Sequence, residues 1–302
     1  MSITVTTAFV NQFSGNVRML AQQVQSRLSA AVSVQDITAE SAYLEQVAPS
    51  TARKVQARHD DSPIMNTLHL RRRVTPYDYD WGDLIDKEDQ FRLLIDPSSA
   101  YAQTAAAALE RAKDDEIIGA FFATAYTGKD GTTQAAWPAG PGAPVPAGKV
   151  VAVNSWAYGN GAGNTGLTIS KMIEANVALK AAEGDENEDK FMLYTAQDEG
   201  SLLATTEATS DEYAQVKALI DGKVPRLLGF NMIHSERVLL DGNGYRRLPA
   251  WRKSGMGLGI AKDIWSRMAE RSDKRFSMYV YAALSIGASR LEEAKVVEIK
   301  CA

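Results

Sequence analysis

Few residues in this chain have the types and spacing that chemistry requires. Gly161, Gly163 and Gly166, inside YGNGAGNTGLTIS at 158–170, spell G-x-G-x-x-G. In a strand–turn–helix unit that spacing lets the backbone approach a dinucleotide pyrophosphate at a helix N-terminus, and a cofactor there would make the protein an oxidoreductase. The setting is wrong in two respects. The apolar run Val150 to Val153 ends well short of Gly161, with Trp156 and Tyr158 between, so no strand feeds the turn. The ribose-binding acid belongs about 20 residues on, at the end of the next strand. Glu183 lies instead in the acidic turn GDENEDK, before that strand begins. The glycines read as a flexible Gly/Asn loop that runs to a helix N-cap at Thr168.

His59, His69 and His234 have no H-x-x-x-H or H-E-x-x-H neighbour, so local spacing supports no metal site, and His59-Asp60-Asp61 reads as a solvated turn. There is no G-x-S-x-G nucleophile elbow. Cys301, the one cysteine, excludes an intrachain disulfide framework and a cysteine metal cluster. So near the end of the sequence it is also a poor nucleophile. No catalytic residue, metal or cofactor is expected. The charged segments carry more information. Arg53, Lys54 and Arg58 precede the block Arg71-Arg72-Arg73, and then the sign reverses. YDYDWGDLIDKEDQ places Asp78, Asp80, Asp83, Asp86, Glu88 and Asp89 in one short stretch. A guanidinium block binds phosphate or carboxylate. With the acidic segment so close, contact between copies of the chain is the favoured role for both sets.

The elements that must carry these residues follow from periodicity. The 302 residues are 45% hydrophobic and 23% charged, which suits a folded protein, and a net charge of −4 speaks against a dedicated nucleic-acid binder. No apolar run approaches the roughly 18 residues that span a bilayer. MSITVTTAFVNQF lacks the basic and apolar regions of a secretory signal, so synthesis in the cytoplasm is expected. Phe9, Phe13, Val17, Leu20, Val24 and Leu28 form one stripe of an amphipathic helix in an arm over 1–35, and that stripe needs a surface to dock on. Residues 36–78 read as a polar two-stranded excursion punctuated at APST and DDSP, too poor in apolar residues to stand alone. Asp96 and Pro97 suit the N-cap and first turn of a long helix running to about Tyr126, with Gly128 as its stop. A Pro/Gly-rich loop follows at 129–149, then a helix from Thr168 to about Ala182, a buried strand at 191–194 and an amphipathic helix at 210–220. LLGFNMIHS is strand-like, DGNG at 241–244 signals a hairpin, and strands GMGLGIA, FSMYVYAA and KVVEI enclose a short helical piece around Ile264 to Met268. No internal repeat is present.

In this order and spacing, the segments resemble the major capsid (coat) proteins of tailed double-stranded DNA bacteriophages, of the Hong-Kong-97 type. DKEDQFRLLIDPSSAYAQTAAAALERAKDDEIIGAFFATAYTG is similar to the spine helix with its acidic lead-in, and GLTISKMIEANVALKAA to a second peripheral helix. FMLYTAQDEGSLL and the segments after it resemble the axial domain and the returning strands. The resemblance implies an α+β fold divided into an N-terminal arm (1–35), an extended loop (36–78) and a peripheral domain (79–190) with a spine helix at 97–127 and a second helix at 168–183. An axial domain (191–280) and C-terminal strands returning to the peripheral domain (281–302) complete it. It also implies self-assembly as hexamers and pentamers into an icosahedral virion shell that contacts packaged DNA non-specifically, without a membrane. A portal and cement proteins are implied partners. No long charged helical extension precedes the arm, so a separate scaffolding protein is expected. Two other classes stay in view: a nucleotide-cofactor enzyme using the Gly161–Gly166 loop, and a non-specific DNA-packaging protein.

Overall fold

The computed structural model describes residues 22–55, 62, 64–85, 98–138, 149–158, 161, 163–183, 187–204 and 226–302. Phe9, Phe13, Val17, Leu20, Arg58, Asp86, Glu88, Asp89, the Asp96-Pro97 helix start and the helix expected at 210–220 lie outside them. The first half of the chain carries strands β1 (Ser33–Asp36), β2 (Ala42–Val47), β3 (His69–Val74) and β4 (Tyr77–Ile85), then helix α1 (Ser98–Phe122). Short strands β5 (Ala125–Thr127), β6 (Thr133–Ala135) and β7 (Val150–Val151) lead to helix α2 (Ile169–Lys180), strand β8 (Lys190–Tyr194) and helix α3 (Ala196–Ala204). The remainder is β: β9 (Arg226–Leu227), β10 (Phe230–His234), β11 (Leu239–Leu240), β12 (Arg246–Arg252), β13 (Met256–Arg271), β14 (Ser277–Arg290) and β15 (Val296–Cys301).

The chain divides into two compact units, one of residues 27–77, 114–261 and 286–302, the other of 1–26, 78–113 and 262–285. The larger is built on a mixed seven-stranded sheet in the order β7-β15-β12-β8-β10-β9, with β11 paired to β12. Ile169, Met172, Ala175 and Leu179 bury one face of α2 on this sheet, against Val151, Met192, Leu248, Ala250, Val297 and Ile299. Each of the larger apolar side chains contributes about 1.5–3 kcal/mol when removed from water, the alanines less. Thr168 caps α2 by accepting from the Lys171 N–H, as its place in the sequence leads one to expect. Thr195 and Asp198 exchange side-chain and backbone hydrogen bonds at the start of α3, a capping box spelled TAQD. The expected domain boundary between 190 and 191 falls inside this sheet: α2, β8 and the C-terminal β15 share one core.

A second sheet of the larger unit, β2-β3-β5-β6, holds the root of the excursion. β2 and β3 are antiparallel from Ala42↔Val74 to Val47↔His69, and β3 joins β5 at only Arg72↔Thr127 and Arg73↔Tyr126. Gly128, expected as the stop of the long helix, instead takes φ +91° between β5 and β6. Helix α1 ends at Phe122, about a turn before the expected Tyr126. There the Arg290 guanidinium takes the Phe121 carbonyl at 2.7 Å and the Ala123 carbonyl at 3.0 Å. A cation on the last carbonyls of a helix satisfies them and favours its end.

In the smaller unit β14 lies between β13 and β4. Residues 264–268, expected to be helical, continue β13. Across the strand pair Trp265 meets Tyr281 edge-on at 5.6 Å and Tyr281 stacks on Tyr279 at 6.0 Å. Lys262 lies over Trp265 at 4.1 Å and Arg271 over Tyr279 at 5.5 Å. Cross-strand aromatic and cation–π pairs of this kind outweigh the weak helical preference of a five-residue piece. The Ile264/Met268 spacing therefore misleads.

Candidate inter-subunit surface

The glycine loop is packed, contrary to the flexibility expected of it. A Cβ on Gly166 would overlap the Ser201 side chain, and one on Gly161 would overlap the Trp156 ring. Lys171, fully buried on α2, donates to the carbonyls of Thr165 (2.7 Å), Gly166 (3.0 Å) and Lys300 (2.9 Å). Burial lowers its pKa. The Thr165 N–H is spent on Val153, and the Thr165 carbonyl also accepts from Ala302. A phosphate cradle presents free N–H groups at a helix N-terminus, whereas this loop turns its carbonyls onto a buried ammonium. Cys301 is buried too, and its thiol is pushed up to about 12 by that burial, so it carries no thiolate near neutral pH. Among the described residues no three His, Cys, Asp or Glu side chains are grouped to hold a metal ion, and no helix is long and apolar enough to cross a membrane. His69 opens β3 on the surface. His234 closes β10 beside Glu236 at 2.8 Å and Arg27 at 3.2 Å.

The arginine block divides by strand periodicity, since successive side chains point to opposite faces. Arg71 is exposed, paired with Glu45 at 2.9 Å. Arg72 is only 6% exposed: it is ion-paired to the equally buried Glu293 and donates through Nε to the Leu291 carbonyl at 2.9 Å. Arg73 lies over the Tyr126 ring at 4.6 Å. Arg72 is thus consumed inside its own chain, and reading three equivalent outward arginines from RRR needs that correction. Arg53 and Lys54 are exposed in the excursion, alongside exposed Val47, Val55, Ile64 and Leu68. At the root of the excursion an open groove of about 330 Å³ is lined by Glu45, His69, Leu70, Arg71, Gly128 and Lys129. Among these residues, and Leu70 apart, the basic side chains outnumber the single carboxylate.

The acidic set lies elsewhere. Asp78, Asp80 and Asp83 are exposed on β4, the last strand of its sheet, with no Lys or Arg among residues 77–85. None of the three has an ion-pair partner among the described residues; Asp83 accepts only the N–H of Leu84 next to it. Edge strands commonly carry such charges against unwanted pairing.

The described end of the arm is not the expected helix. Residues 22–28 are irregular, Val24 is 58% exposed and Leu28 is fully buried. Carboxylates one turn apart on α1 hold this backbone. Glu110 accepts from the Ser26 N–H at 3.1 Å, and Asp114 accepts from Arg27 at 3.1 Å and Leu28 at 3.2 Å. Arg111 donates to the side chain of Gln22 and the carbonyl of Gln23. Sequence reasoning missed Glu110 and Asp114 as arm anchors. The signal available was a buried-looking Ala/Ile helix interrupted by carboxylates on one face.

A profile of the phage capsid protein family matches residues 5–302. The chain belongs to the phage capsid protein family. Solved structures agree in fold. A solved structure from Mycobacterium phage Che8 aligns at TM-score 0.67 and 14% identity, covering 96% of this chain and 97% of that one. The capsid of Ralstonia phage GP4 gives TM-score 0.70 at 11% identity over 96% and 94% of the two chains. The head structure of Helicobacter pylori bacteriophage KHP40 gives 0.69 at 8% identity over 100% and 98%. Identities this low establish the shared α+β capsid fold of the Hong-Kong-97 type. Among curated proteins no sequence matches. As a major capsid protein the chain forms the phage shell and belongs to the virion.

Proposed function

We propose that copies of this chain assemble as hexamers and pentamers into an icosahedral shell around packaged double-stranded DNA, and that its work is association, not turnover. The charge distribution carries this reading: exposed carboxylates on β4 have no ion-pair partner among the described residues, while exposed cations gather at and along the excursion. Arg71, Arg53, Lys54 and Arg58 of one copy face the acidic segment of the next, with Asp78, Asp80 and Asp83 from β4 and Asp86, Glu88 and Asp89 beyond it. Lys129 joins the basic set because it lines the same groove as Arg71. Arg72 and Arg73 support the loop from within. The arm stripe from Phe9 to Val24 docks on a neighbour, beginning where Leu28 is anchored. A scaffolding protein, a portal and cement proteins are further partners, DNA is contacted without sequence preference, and synthesis is in the host cytoplasm. The larger unit corresponds to the axial part of such a shell protein and the smaller to the peripheral part.

Electron microscopy of the purified chain at rising concentration tests the reading. Capsomer rings or closed shells are expected, and a monodisperse monomer at every concentration and salt would overturn it.

A further inference from the structure

We infer that the buried ionic node Arg72–Glu293–Arg290 is a latch that fixes the angle at which the extended loop leaves the body of the subunit. The loop strands have few attachments. β3 meets β5 at two residue pairs, and one side-chain tie from each of β2 and β3 converges on a single carbonyl. Leu291 O accepts from Gln46 of β2 and from Arg72 of β3, each at 2.9 Å, while its own N–H is held by Gly255 at 2.9 Å. A swing of either strand must break a hydrogen bond to the same peptide. Around it stand two guanidiniums and one carboxylate, Arg72 6%, Glu293 6% and Arg290 0% exposed. Glu293 pairs with Arg72 and stands 3.6 Å from Arg290. Arg290 in turn binds the last carbonyls of α1 and the Ala135 carbonyl of β6 at 3.0 Å, and lies over Trp137 at 5.0 Å. Loop root, helix end and the start of the last strand thus share one charged centre.

Two observations separate a latch from ordinary packing. Removing a buried ion pair's partner costs more than replacing the whole pair with apolar groups, so burying these charges is a poor way to gain stability alone. Directional hydrogen bonds, by contrast, fix orientation in a way that apolar contacts do not. Arg72 Nη1 makes no hydrogen bond, and Arg290 Nε and Glu293 Oε1 face each other at 3.6 Å as an ion pair just beyond hydrogen-bond reach. Buried polar groups are seldom left so. Arg72, on β3, carries its unbonded Nη1 at the joint about which the loop would turn.

The test uses full-length chain and two variants, read by amide hydrogen exchange and by electron microscopy of assemblies. Glu293→Gln keeps the shape and removes the charge. Exchange should accelerate roughly tenfold or more over residues 42–47 and 69–74, with the strands at 190–194 and 246–252 still protected. Unchanged exchange at the loop root, or acceleration spread evenly over both sets, would overturn the latch. The double variant Arg72→Met/Glu293→Leu replaces the pair with apolar groups of similar size. Because Arg290 then loses its carboxylate, the variant's melting temperature should fall somewhat, and its assemblies should vary in size and curvature; uniform wild-type assemblies from it would also overturn the latch. The microscopy arm rests on the shell reading and the exchange arm does not. If the wild-type chain forms no assemblies, the shell reading fails while the exchange results still decide the latch.

Discussion

At the root of the loop, charges are buried and matched within the chain; along β4 they are exposed and, among the described residues, without an ion-pair partner. Arg72 and Arg71 show the contrast between adjacent residues. Arg72 reaches Glu293 and Leu291 in the interior, whereas Arg71 shares a surface pair with Glu45 and lines an open groove. Buried pairs cost several kcal/mol to break, and exposed ones contribute about 0–1 kcal/mol. The two regions therefore answer to different states of the molecule. The node specifies the shape of one subunit, whereas the edge carboxylates have no ion-pair partner among the described residues and gain one, in the proposed function, when subunits meet.

Reversing Arg72 should break this contrast most severely. Arg72→Glu places a second carboxylate against Glu293 in a dry site, and a loss of about 3–5 kcal/mol is expected. At about 2–4 °C per kcal/mol for a chain of this size, the melting temperature read by circular dichroism should fall by roughly ten degrees. A fall no larger than that of Arg71→Glu would show that the node is not an energetic centre.

The glycine loop supplies the next test, because its glycines differ in what surrounds them. Gly166→Ala drives a Cβ into Ser201 and should destabilise by about 1–3 kcal/mol. Adding Ser201→Gly should recover most of that. Gly163, at φ +84° with open space beside it, should lose only about 1 kcal/mol on the same substitution, from backbone strain alone. Equal losses at the two positions, or no recovery in the double variant, would contradict the packing argument.

A buried charge without a carboxylate partner makes a third test. Burial depresses Lys149 to about 8, and its ammonium donates to the carbonyls of Ala178 at 2.7 Å and Ala294 at 2.5 Å. Its folded pKa lies below the unfolded 10.5, so the folded state binds fewer protons between those values and stability rises with pH across that window. The neutral amine keeps two donors for the two carbonyls. The gain should be on the order of 1–3 kcal/mol, isolated as the difference between wild type and Lys149→Met in denaturant melts at pH 7.5 and 9.5. A Lys149→Met protein with the same pH dependence as wild type would refute it.

Much of this architecture was legible where local signals were strong. Thr168 marked the cap of α2, the apolar run at 191–194 marked β8, and the acidic run after Arg73 marked the exposed carboxylates of β4. What misled was set by partners distant in sequence. Arg290 ends α1, Tyr281 holds Trp265 in a strand, and Glu293 draws Arg72 inward; no window around those residues contains the partner. The glycine loop shows the same limit. Its composition suggested flexibility, but Trp156 and Ser201 make Gly161 and Gly166 a packing requirement. The capping box TAQD was readable locally, and the carboxylates that hold residues 26–28 were readable only in part.

The smallest effect on folding belongs to the exposed side of the comparison, and it should carry the largest effect on association. Arg71→Glu loses one surface pair, so its melting temperature should stay within about 2 °C of wild type. Combined with Lys129→Glu it turns the groove acidic, and assembly measured by light scattering should weaken markedly at 50 mM salt. Raising salt weakens the wild type toward the variant, because exposed charges are screened over about 10 Å at 0.1 M. The decisive arm restores the sign on the other side. Asp78→Lys/Asp80→Lys in the same chain gives every copy an acidic groove and a basic edge, and assembly should return. If the fourfold variant stays monomeric while each pair folds normally, the groove and β4 are not partners. If the groove variant assembles normally but packages DNA poorly, Arg71 and Lys129 face the genome, and β4 must be matched by another surface.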